Sequence, residues 1–216
     1  MNRAAPVPPT SRHAVRRQRE LDLRREDVLS AASEVFASKG LHASQVSEIA
    51  QRAEVSLASV YQLFPSKEAL FEAVTLHAAE AIEANIRGRV DAVQNPVARV
   101  LEVLDAMFAC FDADRDLLRI YTRATHGLPW RTRGELGERT HALMERFATW
   151  VIDVMRQAKS ARALAGLDPE VFATALIGAV VTAASRAIES DDPRALARAA
   201  KGVRAVFERV LGGSAK

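Results

Sequence analysis

The chain is short of the residues that staple, break or stiffen a fold. A single cysteine, Cys110, stands among 216 residues, so no internal disulfide forms and no thiolate cluster assembles. It lies in an apolar run with Met107, Phe108 and Phe111, the setting of a buried filler rather than a reactive thiol, and it fits a reducing compartment. Glycine, proline and tyrosine are sparse (10, 8 and 2 residues). Usage leans instead to Ala, Leu, Arg and Glu, all strong helix formers, and the expected fold class is all-α. No stretch is read as a membrane span, and the proline- and arginine-bearing N-terminus lacks the apolar segment of a secretory signal, so a cytoplasmic protein is expected. There is no glycine-rich phosphate loop, no H-E-x-x-H and no G-x-S-x-G. The five histidines (13, 42, 77, 126, 141) show no ligand spacing. These absences argue against an enzyme and give no metal or cofactor site.

What is present is a mild positive balance, unevenly spread. The formal net charge is +3. Arg3, Arg12, Arg16, Arg17, Arg19, Arg24 and Arg25 face only Glu20 and Asp22 in the first 25 residues. Such an arm suits either phosphates, with release of counterions, or solvent. Residues 1–20 lack sustained periodicity, carry Pro6, Pro8 and Pro9, and are expected to be a largely disordered basic arm, turning helical at most near His13. The first helix is expected from Asp22 or Arg25 to Lys39, with Val28, Ala32, Val35 and Phe36 as its inward stripe and Gly40 as its stop. Ser44 reads as the N-cap of a short helix over 45–53, and Ser56 as that of another over 57–64. Ser66 opens a longer one running to about residue 89. Further helices are expected over 97–112, 115–126, 134–160, 168–189 and 193–211. The implied organisation is an arm (1–20), a small three-helix domain (21–70) and a larger helical domain (71–216).

The helix over 57–64 is the unusual element. Two turns of helix are marginal in water, yet it is held between two others with Val60 and Phe64 inward and Leu57, Ala58, Tyr61 and Gln62 outward. Two short helices joined by a tight turn and braced by a third make a helix-turn-helix, in which the second helix acts as a probe narrow enough for a DNA major groove. The residues support a specific likeness. "AASEVFASKG", "SQVSEIAQRAEVS" and "SVYQLFPSKEAL" place Ala32-x-x-x-Phe36-x-x-x-Gly40, Ile49-Ala50, Tyr61-x-x-Phe64 and Ser66-Lys67-Glu68-x-Leu70 at one family's spacing. The stretch from Val28 to Leu70 resembles the DNA-binding domain of the TetR family of transcriptional repressors.

The resemblance implies a homodimer on a near-palindromic double-stranded operator, one probe helix per half-site. It implies that Ser44, Ser56, Tyr61 and Lys67 hold phosphates and that Leu57, Ala58, Ser59 and Gln62 read bases, with Gln45 beside them. Two positions depart from the family pattern. Glu54 stands where glycine is usual, and Leu57 replaces a common lysine. The resemblance also implies that the last two helices pair with their mates. Ala175, Ala179 and Ala183 recur every fourth residue, and with Phe172, Ala199, Val203 and Phe207 they are the expected interface. Bulky middle-helix residues, namely Met107, Phe108, Phe111, Tyr121, Trp130, Phe147 and Trp150, are core filler by default. By analogy they line a cavity for an apolar or aromatic small-molecule effector, oriented by Tyr121, Arg123, His126 or His141. The competing reading is a helical protein-interaction adaptor that does not bind DNA, which leaves the 44–67 constellation unexplained.

Overall fold

A computed structural model describes residues 12–125, 132–160, 164 and 166–213. Among these residues ten α-helices follow one another and no strand occurs. They are α1 (Arg12–Ala43), α2 (Val46–Arg52), α3 (Leu57–Leu63), α4 (Lys67–Asp91), α5 (Pro96–Ala113), α6 (Arg115–Thr125), α7 (Thr132–Leu136), α8 (Glu138–Ser160), α9 (Pro169–Ile188) and α10 (Ala195–Gly213). The expected all-α architecture is therefore observed.

The start of α1 corrects an expectation. Helix already begins at Arg12, ahead of the apolar stripe, and residues 13–27 are exposed throughout. Nothing apolar demands helix here. It propagates outward from the packed turns through i, i+4 pairs, Arg16 to Glu20 at 3.1 Å and Gln18 to Asp22 at 2.8 Å, on a sequence of good helix formers. The remainder of the expected disordered arm, residues 1–11, lies outside the described residues. Gly40, at φ 74°, interrupts α1; only glycine takes that conformation freely.

Two hydrophobic cores organise the helices. The first collects Val28, Ala32, Val35 and Phe36 of α1 with Ile49 and Ala50 of α2, Val60 of α3, Phe64, and Leu70, Phe71 and Val74 of α4. Phe36 and Phe71 meet edge to face, ring centroids 5.0 Å apart, the arrangement favoured by ring quadrupoles. Ile120 of α6 and Leu136 of α7 complete this core from far along the chain. The second core is built from α4, α5, α6, α8, α9 and α10. Helix starts follow the side-chain chemistry. Ser56, Ser66, Asn95 and Asp168 each accept backbone N–H groups of the first turn, and Pro96 and Pro169 follow the last two.

Where one helix was expected over 134–160, Gly137 breaks the chain into α7 and α8. Its φ is +91°, and a Cβ there would lie 2.7 Å from the Glu72 carboxyl. The α7–α8 elbow thus sits directly on α4, where Glu72 Oε1 accepts the Arg139 N–H at 3.2 Å. The expectation of no span-length segment also needs amendment. By length and composition α9 is apolar enough to cross a membrane, with nearly half of it buried inside the protein.

Candidate nucleic-acid interface and effector cavity

The surface around α3 is assembled by caps and by one lysine. Ser56 Oγ accepts the Ser59 N–H at 3.0 Å and lies 2.8 Å from Ser59 Oγ. This starts α3 with two hydroxyls and the free N–H end of the helix at one place. Leu57, Ala58, Tyr61 and Gln62 are exposed, Tyr61 to 47%, while Ser59 is half-buried. Exposed large apolar groups on so short a helix contribute nothing to folding. Gln45 is exposed at the start of α2, as is Ser56 at the start of α3.

Ser44 departs from its expected role. It is buried, and its hydroxyl donates to the Leu41 carbonyl at 2.7 Å, while Gln45 occupies the N-cap position of α2 with no side-chain cap bond. The chain leaves Gly40 in one further turn, whose carbonyl claims the hydroxyl before α2 begins. Lys67 is tied to the same corner. Its ammonium donates to the carbonyls of His42 and Ser44, each at 3.2 Å, a cation on a helix C-terminus, with its third N–H left over. Arg25 places its guanidinium 4.4 Å from the centre of the Phe64 ring, where the exposed segment of α1 meets the end of α3.

Glu54 is in the left-handed region at φ 53°, the only non-glycine residue there among those described. The turn between α2 and α3 requires this conformation, because the Val55 N–H must reach back to the Ala50 carbonyl at 3.0 Å. Glu54→Gly is expected to raise unfolding free energy by about 1 kcal/mol, read from urea denaturation. An unchanged midpoint would show that the turn carries no strain.

A cavity of about 200 Å³ lies between α4, α5, α6, α7, α8 and α9. Of the residues expected to form it, Met107, Phe111, Tyr121 and Phe147 line it. Phe108 is buried in the core behind the wall. Trp150 stands beside Phe147, ring centroids 5.7 Å apart, and under the Arg87 guanidinium at 4.6 Å. Trp130 and His126 lie outside the described residues. Arg123 turns away to α1, donating to the Ser38 carbonyl. Burial pushes the Tyr121 phenol above its ordinary pKa, opposed by a hydrogen bond with Thr125, so it stays neutral. Burial likewise raises the Cys110 thiol, against the nearby Arg89, which leaves it unreactive.

One wall escaped the reading of bulky residues. Thr75, Ala79, Ile82, Glu83 and Ile86 form a stripe along α4 at i, i+4, i+7, i+8 and i+11, spanning roughly 16 Å. That periodicity was available in the sequence. At one end of the slot Thr75 and Thr140 pair their hydroxyls at 3.0 Å. Leu136 serves two compartments, lining the cavity while sitting fully buried in the first core.

Residues 28–74 match the family model described as bacterial regulatory proteins, tetR family. Over that segment the chain is similar to the tetR family. Nucleoid occlusion factor SlmA of Vibrio vulnificus is 28% identical over 170 residues, covering 78% of this chain and 85% of that protein. Two solved structures share the fold. FadR of Bacillus subtilis, in complex with stearoyl-CoA, aligns with a TM-score of 0.72 at 18% identity, over 86% of this chain and 98% of that one. AibR, in complex with isovaleryl coenzyme A and operator DNA, aligns with a TM-score of 0.68 at 18% identity, over 85% and 97%. The matched segment is that of bacterial regulatory proteins, and the whole fold is shared with solved transcriptional regulators.

The outer surface of α9 and α10 differs from the expected set. Phe172 and Phe207 are buried within the protomer, packed edge to face at 5.3 Å. Ala179, Ala183, Ala199 and Val203 are half-buried against the second core, and Ala175 is exposed. The exposed face carries Val171 (68%) and Val206 (59%). Ala175, Thr182 and Gly202 are exposed as well and Gly178 is half-buried, and a Cβ added at either glycine meets nothing within 4 Å. Large side chains went inward, so the small ones that remain form the outer strip.

Proposed function

We propose that this protein is a ligand-responsive transcriptional repressor. It binds a near-palindromic operator as a homodimer and leaves it when a mainly apolar small molecule fills the cavity. Residues 21–70 form the DNA-binding domain and residues 71–216 the effector and dimer domain. The observation that carries the reading is Leu136, one side chain shared by the cavity wall and the core that holds α3. Filling the cavity moves α7 and α6, and with them the α1–α4 platform. Half-sites repeat at roughly 34 Å, so a change of several ångströms between the two probes spoils simultaneous docking, with a coupling of about 1–3 kcal/mol. The solved relatives in complex with acyl-coenzyme A molecules favour an acyl chain as the apolar body. At about 200 Å³ the cavity is smaller than the ~300–1,000 Å³ of drug-sized sites, which suits a slender chain. An adaptor without DNA binding leaves the exposed Leu57 and Tyr61 without a purpose.

At the interface, Ser56, Tyr61 and Lys67 hold phosphates, while Leu57, Ala58, Ser59 and Gln62 face the groove. The inward hydroxyl of Ser44 leaves it outside this set. The basic segment supplies cations that Leu57 withholds, now as a helical extension of α1 rather than a loose tail.

Fluorescence anisotropy on duplex DNA flanking the gene, titrated with salt, tests the reading. Specific binding with a steep salt slope supports it, and indifference to every duplex tried overturns it. Deleting residues 1–20 is expected to weaken binding and lower the salt slope by at least roughly two, one phosphate per arm. Unchanged affinity and slope would remove the segment from the interface.

A further inference from the structure

The cavity's polar lining is one-sided. Among the described residues, no Lys, Arg or His lines it; the polar groups are Thr75, Thr140, Tyr121, Glu83 and Glu145. The two threonine hydroxyls already serve one another and the carbonyls of Glu72 and Leu136. Glu83 is the enclosed acid, its side chain 15% exposed, and it sits on the same α4 stripe as Ile82 and Ile86. Arg87, one turn along α4 from Glu83, is not among the lining residues. It pairs with Glu83 at 2.6 Å and lies over the Trp150 ring at 4.6 Å.

An anion entering this slot would lose its water, meet no cation among the described lining residues and approach a carboxylate already paired with Arg87. Desolvation and like-charge contact act in the same direction, and exclusion of a competitor by repulsion is a recognised route to specificity. We propose that Glu83 is a specificity-determining residue that restricts the enclosed part of the effector to an uncharged chain. An alcohol, ester or thioester of an aliphatic chain enters, and the corresponding free carboxylate is turned away. The Glu83–Arg87 pair stays assembled because a neutral guest asks nothing of it. This rests on the cavity being the effector site.

The test is calorimetric titration of the full chain at pH 7.5 with decan-1-ol and with decanoate, matched in length and differing at the head. The dissociation constant of decanoate is expected to exceed that of decan-1-ol at least tenfold. In Glu83→Gln, and in Glu83→Ala should the first variant fold poorly, the ratio is expected to fall below three. A ratio near one in the native protein, or one unchanged in both variants, overturns the role of Glu83 while leaving the cavity as the effector site. Failure of both ligands to bind the native protein overturns the cavity reading itself, and this inference with it.

Discussion

Gly178→Phe is expected to yield a folded protomer that no longer dimerises and loses operator affinity by about 10²–10⁴-fold, the advantage of linking two half-site contacts in one particle. The substitution is chosen for what it leaves alone. Gly178 lies in the middle of α9, where glycine costs about 1 kcal/mol relative to alanine, and a Cβ there meets nothing within 4 Å in its own protomer. A half-buried mid-helix glycine, one and two turns along the same face from exposed Ala175 and Val171, makes sense when another backbone must come close. A phenyl ring fills that gap in both copies at once. Ala179→Trp would be a poorer probe, because Ala179 packs against the second core and a large ring there damages the protomer itself. Light scattering should report a mass near 23.6 kDa, with native helical circular dichroism. A dimer with native affinity would place the subunit contact elsewhere.

Tyr61→Phe is expected to cost the second-largest loss. The change removes one hydroxyl from a ring already 47% exposed, so the fold is untouched. Hydrogen bonds to charged groups contribute about 1.5–3 kcal/mol each. Two symmetry-related copies acting on phosphates then amount to about 3–6 kcal/mol, or roughly 10²–10⁴ in affinity, spread evenly over specific and unrelated duplexes. Anisotropy at fixed salt measures it, and thermal melting serves as the control. A loss confined to one DNA sequence would instead make Tyr61 a reader of bases.

Much of the fold was legible because local chemistry and burial agree. The Val28, Ala32, Val35, Phe36 stripe is fully buried, and Ser56, Ser66 and Asp168 cap as their types predict. The turn at Glu54 was legible as a position wanting glycine, and the backbone is left-handed there. Three things were not legible, each for a physical reason. The extension from Arg12 is held by polar i, i+4 pairs, which leave no apolar period to detect. Ser44 caps nothing, because a carbonyl three residues earlier, set by the bend at Gly40, captures its hydroxyl. The cavity is missing volume among six helices, and no residue type announces a gap. Bulky side chains were natural candidates, but Phe108 and the Phe172–Phe207 pair seal the interior, whereas a threonine, an alanine and a glutamate on α4 face the space.

The two cores are separate in composition but not in custody. Ile120 and Leu136 complete the first one, yet both come from helices more than 45 residues past the last α4 residue that shares it, Val74. A fragment trimmed to residues 28–74, the part recognised by family likeness, would carry α2 and α3 but two unfilled holes. Each buried Leu or Ile so removed is worth about 2–5 kcal/mol, against a total of about 5–15 kcal/mol for a whole domain. The 28–74 segment is therefore not a detachable module. It borrows its last two plugs from α6 and α7, so loosening either plug is felt in the core that holds α3.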